Sequence, residues 1–241
     1  MTANGESSAP LLRIGLVVNP LAGIGGAVGL QGSDGEVVQR AARERDGKPR
    51  GEERLSIFLQ ALRTRLGGDF GRLAWCTWGG VMGAQILSSN GVIAQVAGEP
   101  AAQTSAQDTQ LAVKTLGARY VDLLIFVGGD GTARDVLAAV DEFTYTCVLG
   151  LPAGVKMHSG VFAISPTAAA DVVAGLAQGS LVGRIPREVR DYVPAAKDAT
   201  KARHQAVATK RYGELWVPEA AGYLQQMKVG GKEDEGLVVQ E

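Results

Sequence analysis

The chain has 241 residues, with 24 Lys and Arg against 25 Asp and Glu and a net charge of −1. A near-neutral protein excludes nucleic acid as the main partner, because neutralising many phosphates needs a basic face. No apolar stretch approaches the roughly 20 residues that cross a bilayer, and no membrane partner is expected. Two cysteines, Cys76 and Cys147, exclude a disulfide scaffold and indicate a reducing, cytoplasmic compartment.

Residues 1–10 are small and polar and are expected to be a disordered start rather than a targeting signal. Residues 14–18 then form a short apolar strand that ends at Asn19-Pro20 and opens the loop Gly23-Ile24-Gly25-Gly26. Residues 31–51 are polar, charged and dotted with glycine, a surface excursion. Leu55, Phe58, Leu59, Leu62 and Leu66 recur at helical spacing. A second strand is predicted at 73–78, a short helix at 81–87 and a third strand at 92–96. Ser105 and Asp108 make a capping box, opening a helix that Gly117 closes. The apolar run 121–127 (VDLLIFV) follows, then Gly128-Gly129-Asp130-Gly131-Thr132 and a helix-like stretch at 133–140. In that helix Thr132 is the predicted N-cap and Asp135 completes the box. A further strand at 147–149 empties into a loop over 150–159. Strands separated by helices of this length imply parallel pairing through right-handed crossovers, an α/β doubly wound, mostly parallel sheet.

The string at 128–132 carries the chemistry. A buried strand that gives way to a glycine turn and a helix gathers free backbone N–H groups and the positive end of a helix dipole at one point, which suits phosphate. Glycines there allow positive φ and close approach of the main chain to a phosphoryl oxygen. A bare carboxylate beside phosphates is repulsive, so Asp130 is tolerable only if it binds Mg²⁺, accepts a proton from an attacking hydroxyl, or both. That combination points to phosphoryl transfer. The string is neither a Walker A loop nor a GxGxxG fingerprint. In an open α/β sheet ligands bind at the carboxyl ends of the strands, where Asn19 and Asp130 would both lie. The loop at 150–159 belongs to the same edge. There Lys156 either neutralises phosphate or is solvated, and His158 either orients a ribose hydroxyl or carboxamide or is a satisfied loop histidine. Ser159 is available to cap the segment from Val161 onward, and the shared edge favours the ligand readings.

Three strings, VVNPLAGIGGAVGLQGSDG from Val17, LLIFVGGDGTARDV from Leu123 and LGLPAGVKMHSGVFAISP from Leu149, resemble the ATP-NAD kinase-like family, including its acetoin-operon branch. That family sits within the superfamily of NAD kinases, diacylglycerol and sphingosine kinases and phosphofructokinases. The resemblance implies ATP as phosphoryl donor, with Mg²⁺, and NAD as acceptor. It implies that Asp130 engages the acceptor hydroxyl, the adenosine 2′-OH in an NAD kinase. Asn19, Gly128, Gly129, Gly131, Thr132 and Arg134 would form the nucleotide-binding shell, and Lys156, His158 and Ser159 the substrate side. It further implies a nucleotide-binding α/β domain over 11–180, followed over 181–241 by a smaller, incomplete β-rich domain and tail. Strands are expected at 187–193 and 207–217, with a poorly patterned stretch at 194–205 and a solvated charge run at 232–235. The Asn-Glu or Asn-Asp pair by which related NAD kinases hold the acceptor has no counterpart here. An incomplete second domain would expose an edge or apolar face that dimerisation would cover, so a homo-oligomer is expected. Two alternatives stand beside an NAD kinase: a lipid or other small-alcohol kinase, and a nucleotide-binding module without catalysis.

Overall fold

The computed structural model describes residues 11–24, 48–140, 146–154, 157–192 and 209–225. The expectations for 1–10, for Gly25, Gly26 and the excursion up to residue 47, for Lys156, for 194–205 and for 232–235 therefore lie outside the described residues.

Five strands, β1 (Leu12–Val18), β2 (Leu73–Thr77), β3 (Ala94–Val96), β4 (Leu123–Gly128) and β5 (Val148–Pro152), form one sheet in the order β3-β2-β1-β4-β5. Every pairing in it is parallel. A parallel sheet is covered on both faces, so its central strands must be apolar throughout rather than alternating. Accordingly β4 and β5 are buried at every position. The helices are α1 (Gly51–Leu66), α2 (Ala84–Ser89), α3 (Ala106–Gly117), α4 (Asp130–Ala139) and α5 (Pro166–Ala177). Helix α1 packs on α5, and α3 packs on α4. Crossovers that keep one hand while leading away from β1 in opposite directions put these two pairs on opposite faces. The result is the doubly wound α/β sheet expected from the alternating pattern.

Local sequence explains most of the boundaries. The five-residue apolar stripe of α1 is entirely buried, and Arg65 ties α1 to α5 through Asp171, with N···O distances of 2.5 and 2.9 Å. The capping box at α3 forms as read, with Asp108 accepting the Ser105 N–H at 2.9 Å. Three expectations are corrected, and one helix is added. The helix expected at 81–87 is broken into a 3-10 turn (Gly80–Met82) and α2, because Gly83 sits at φ 149° with Thr77 Oγ1 where a Cβ would be. Helix α4 starts at Asp130 with Gly129 as N-cap, not at Thr132, because the Thr132 hydroxyl is engaged by Asn19. Strand β5 runs on through Pro152, since Gly150 lets the edge-to-face pair Phe126 and Phe162 close against the strand. Helix α5 was not anticipated, although Ser165 caps it by accepting the Ala168 N–H and Pro166 occupies N1.

A second, antiparallel sheet of two strands follows, β6 (Arg184–Tyr192) and β7 (Thr209–Pro218). Its inner face buries Val189, Leu215 and Val217, and it packs on α4 and β5. A register shift after Val189 leaves Tyr212 as the extra residue of a bulge. Among the described residues no helix is long and apolar enough to cross a membrane.

Candidate functional site

The strand order reverses between β1 and β4, and in such sheets the crevice beyond the carboxyl ends at that point is where ligands sit. Asn19 closes β1 there, and both ends of its amide are used. Nδ2 donates to Thr132 Oγ1 at 2.9 Å, and Oδ1 accepts the Leu21 N–H at 3.0 Å. One side chain therefore fixes the turn after β1 to the first turn of α4.

The turn after β4 departs from expectation in one respect. None of Gly128, Gly129 and Gly131 has positive φ. Gly128 is required by close approach instead, since a Cβ there would lie 2.4 Å from the Thr132 side chain. At Gly129 a Cβ would meet nothing within 4 Å, so the turn faces open space on that side. The first intrahelical bond runs from Ala133 N to Gly129 O, which leaves the N–H groups of Asp130, Gly131 and Thr132 without intrahelical acceptors.

Asp130 is buried and points across to the loop after β5. Oδ2 accepts the His158 N–H and Oδ1 the Ser159 N–H, both at 2.9 Å. Burial raises its carboxyl above the ordinary value, opposed by the hydrogen bonds from Ser159 and the His158 amide. Ser159, fully buried, passes the connection on: its hydroxyl donates to Arg190 O at 2.8 Å and accepts the Arg190 N–H at 3.0 Å. It thus anchors β6 rather than capping the segment at Val161. Gly160 N–H bonds Glu188 O beside it. Arg134 is directed to the ribbon as well, with Nη1 2.9 Å from Asp191 Oδ2 and its guanidinium 4.6 Å above the Tyr212 ring. Three of the residues read from sequence as ligand contacts, Asp130, Arg134 and Ser159, thus have protein partners that lock the α4 start to the β5 loop and to the ribbon. Asn19, Thr132 and Gly129 frame the open side.

A cleft of about 380 Å³ lies between Pro20 of the β1 turn, Gly51 at the start of α1, and Val81, Gln85, Ile86 and Ser89 of the segment after β2. Asn19 lines it too. Sequence reading missed these walls, because they come from separate segments and share no periodic signal. Among the described residues no three His, Cys, Asp or Glu side chains gather to cage a metal ion.

A doubly wound sheet with a glycine turn and a helix N-terminus at its switch point defines a nucleotide-binding α/β domain. The profile of the ATP-NAD kinase N-terminal domain matches residues 14–181, and the chain belongs to that family. Searches of curated proteins and of solved structures returned no significant match. Family membership supports a kinase-type phosphotransferase that uses ATP or another nucleotide with a divalent metal.

Proposed function

We propose that the chain transfers the γ-phosphoryl group of ATP to the 2′-hydroxyl of NAD, giving NADP. The observation that carries this reading is the switch point itself. Gly129 faces open space and leads into three helix N–H groups, Asp130 carries a buried carboxyl in the same turn, and the Asn19–Thr132 bond holds that turn to the end of β1. Phosphoryl transfer asks mainly for positioning and for stabilisation of charge. The N–H groups of residues 130–132 hold anionic phosphate oxygens. The two Asp130 oxygens accept the His158 and Ser159 amide protons and a hydrogen bond from the Ser159 side chain, which leaves one of the carboxylate's four acceptor sites. Asp130 therefore takes the proton of the attacking hydroxyl while still holding the β5 loop. In the transfer the hydroxyl oxygen forms its bond to the γ-phosphorus, the bond from that phosphorus to the β,γ-bridging oxygen breaks, and ADP leaves. Asn19, Thr132 and the turn amides fit a nucleotide phosphate chain, and Mg²⁺ bound to those phosphates, as that ion commonly is, would supply charge neutralisation.

The test incubates purified protein with ATP, Mg²⁺ and NAD and reads NADP through a dehydrogenase specific for it. Steady NADP formation is expected; none, with the fold intact, removes the reaction. A nucleotide-binding module without turnover is the second reading, favoured by the engagement of both Asp130 oxygens with amides. Nucleotide binding without product would establish it.

A further inference from the structure

Ser159 holds one hydroxyl hydrogen between two acceptors. Its Oγ lies 2.8 Å from Arg190 O, and the same side chain hydrogen-bonds the Asp130 carboxyl, whose Oδ1 takes the Ser159 N–H at 2.9 Å. A serine hydroxyl carries a single hydrogen, so it serves one acceptor at a time. The Arg190 N–H bonds that oxygen at 3.0 Å and fixes it in place, which leaves only the hydrogen to turn. Ser159 has no exposed surface, so bulk water does not compete for it.

The choice follows the charge on Asp130. An ionised acceptor makes a hydrogen bond roughly twice as strong as a neutral one, so a carboxylate draws the hydroxyl and a protonated carboxyl gives it back to the carbonyl. Accordingly the Ser159 side chain is the largest influence favouring the ionised form of Asp130, ahead of the two amides and of His158. Other charges near the junction are engaged elsewhere. Arg134 of α4 pairs with Asp191 of β6, Glu188 of β6 pairs with Arg190 and Arg211, and Asp108 of α3 is held in its own capping box. Strands β4 and β5 carry no charged residue.

We infer that Ser159 is a positioning residue with two settings, its hydroxyl on the Asp130 carboxylate or on the Arg190 carbonyl, through which proton uptake by Asp130 is transmitted to the bulge of the ribbon. The Ser159 hydrogen stays on its own oxygen and only the O–H bond turns. When Asp130 takes the proton of the acceptor hydroxyl, the Ser159 hydroxyl swings to Arg190 O, and loss of that proton returns it. Arg190 sits at the register shift of β6, opposite the bulge that presents Tyr212 to Arg134. The use of this switch in turnover rests on the phosphotransferase reading above, whereas the coupling is testable without substrate.

Carbon-13 NMR of the unchanged chain reads both ends. As pH rises, the Arg190 carbonyl signal should shift with the same midpoint as Asp130 Cγ, and that response should vanish in Asp130→Asn. In Ser159→Ala the carbonyl should stop following Asp130, and the Asp130 midpoint should move to higher pH. The acidic limb of kcat/KM for NADP formation should move the same way, whereas a merely structural role would lower the profile equally at every pH. An Arg190 carbonyl that ignores Asp130 in the unchanged chain overturns the switch, a result that stands even where Ser159→Ala does not fold. A response that persists in Asp130→Asn also overturns it, because Glu188 or Asp191 would then be its source. So does an unmoved Asp130 midpoint in folded Ser159→Ala. Coupling without any NADP formation removes the phosphotransferase reading and leaves the switch in place.

Discussion

Asp130 is asked to do two things, and its surroundings set a measurable signature for each. As the acceptor's base, its loss should lower turnover by about 10² to 10⁴. As the partner of two amides, its replacement in Asp130→Asn sets an NH₂ group against an N–H, costing about 1–3 kcal/mol of stability. Ligand binding must therefore be shown intact before the kinetic loss is read. Its titration gives an independent check. Burial raises the folded value above the ordinary 3.8, so the folded state holds this proton more tightly than the unfolded chain. The stability it contributes is full below 3.8 and is lost as pH rises through the raised folded value. Melting curves of the wild type and Asp130→Asn across that window should diverge, the wild type losing ground relative to the variant as pH climbs. A constant gap would mean that the carboxyl is not desolvated. Cys147 offers a second residue-scale test. Burial pushes its thiol up to about 12, so it should stay unreactive toward disulfide reagents at pH 8 until the protein unfolds. Labelling at native rates would contradict that packing.

At the scale of elements, two junctions hold the site together. The first is β5 against the segment after it: a Cβ at Gly150 would lie 2.4 Å from the Phe162 ring and 2.9 Å from Phe126. Gly150→Ala should therefore cost about 1–3 kcal/mol by overpacking, measured as a shift in the urea midpoint without a change in slope. The second is Ser159, whose hydroxyl makes both of the bonds that tie the β5 loop to Arg190 of β6. An isolated two-stranded ribbon is marginal in water, so β6 and β7 depend on such ties and on Arg134 stacked over Tyr212. Ser159→Ala should release amide protection in β6 by hydrogen exchange while β1 and β4 keep theirs. Equal loss in all strands would show that the ribbon and the sheet open as one unit.

For the whole molecule the decisive measurement is ligand linkage. A ligand that binds only the folded state raises stability by RT ln(1 + [L]/Kd), about 2.7 kcal/mol at one hundred times Kd. ATP with Mg²⁺ and NAD should each raise the melting temperature, and neither doing so would leave the switch point without its proposed occupants. The ribbon bears on the same question. It packs on β5 and on α4, the helix that begins at Asp130, so the seating of the ribbon and that of the carboxyl are linked.

The sequence by itself determined the architecture. The apolar runs of β1 and β4, the stripe on α1 and the capping box on α3 are local signals, each readable from side-chain period or cap chemistry within one segment. It also marked the turn at 128–132, because a glycine string after a buried strand is a local event. Side-chain partnership was another matter. That Thr132 is held by Asn19, 113 residues away, so that α4 starts at Asp130, follows from the sheet order that sets β1 beside β4. That Asp130 reaches the amides of His158 and Ser159, and that Arg134 turns to Asp191, likewise depends on neighbours distant in the chain. The cleft walls are contributed by the β1 turn, α1 and α2 together, and only packing brings them to one place. Periodicity and caps are properties of a segment, whereas a hydrogen-bond partner or a cavity exists only once segments meet.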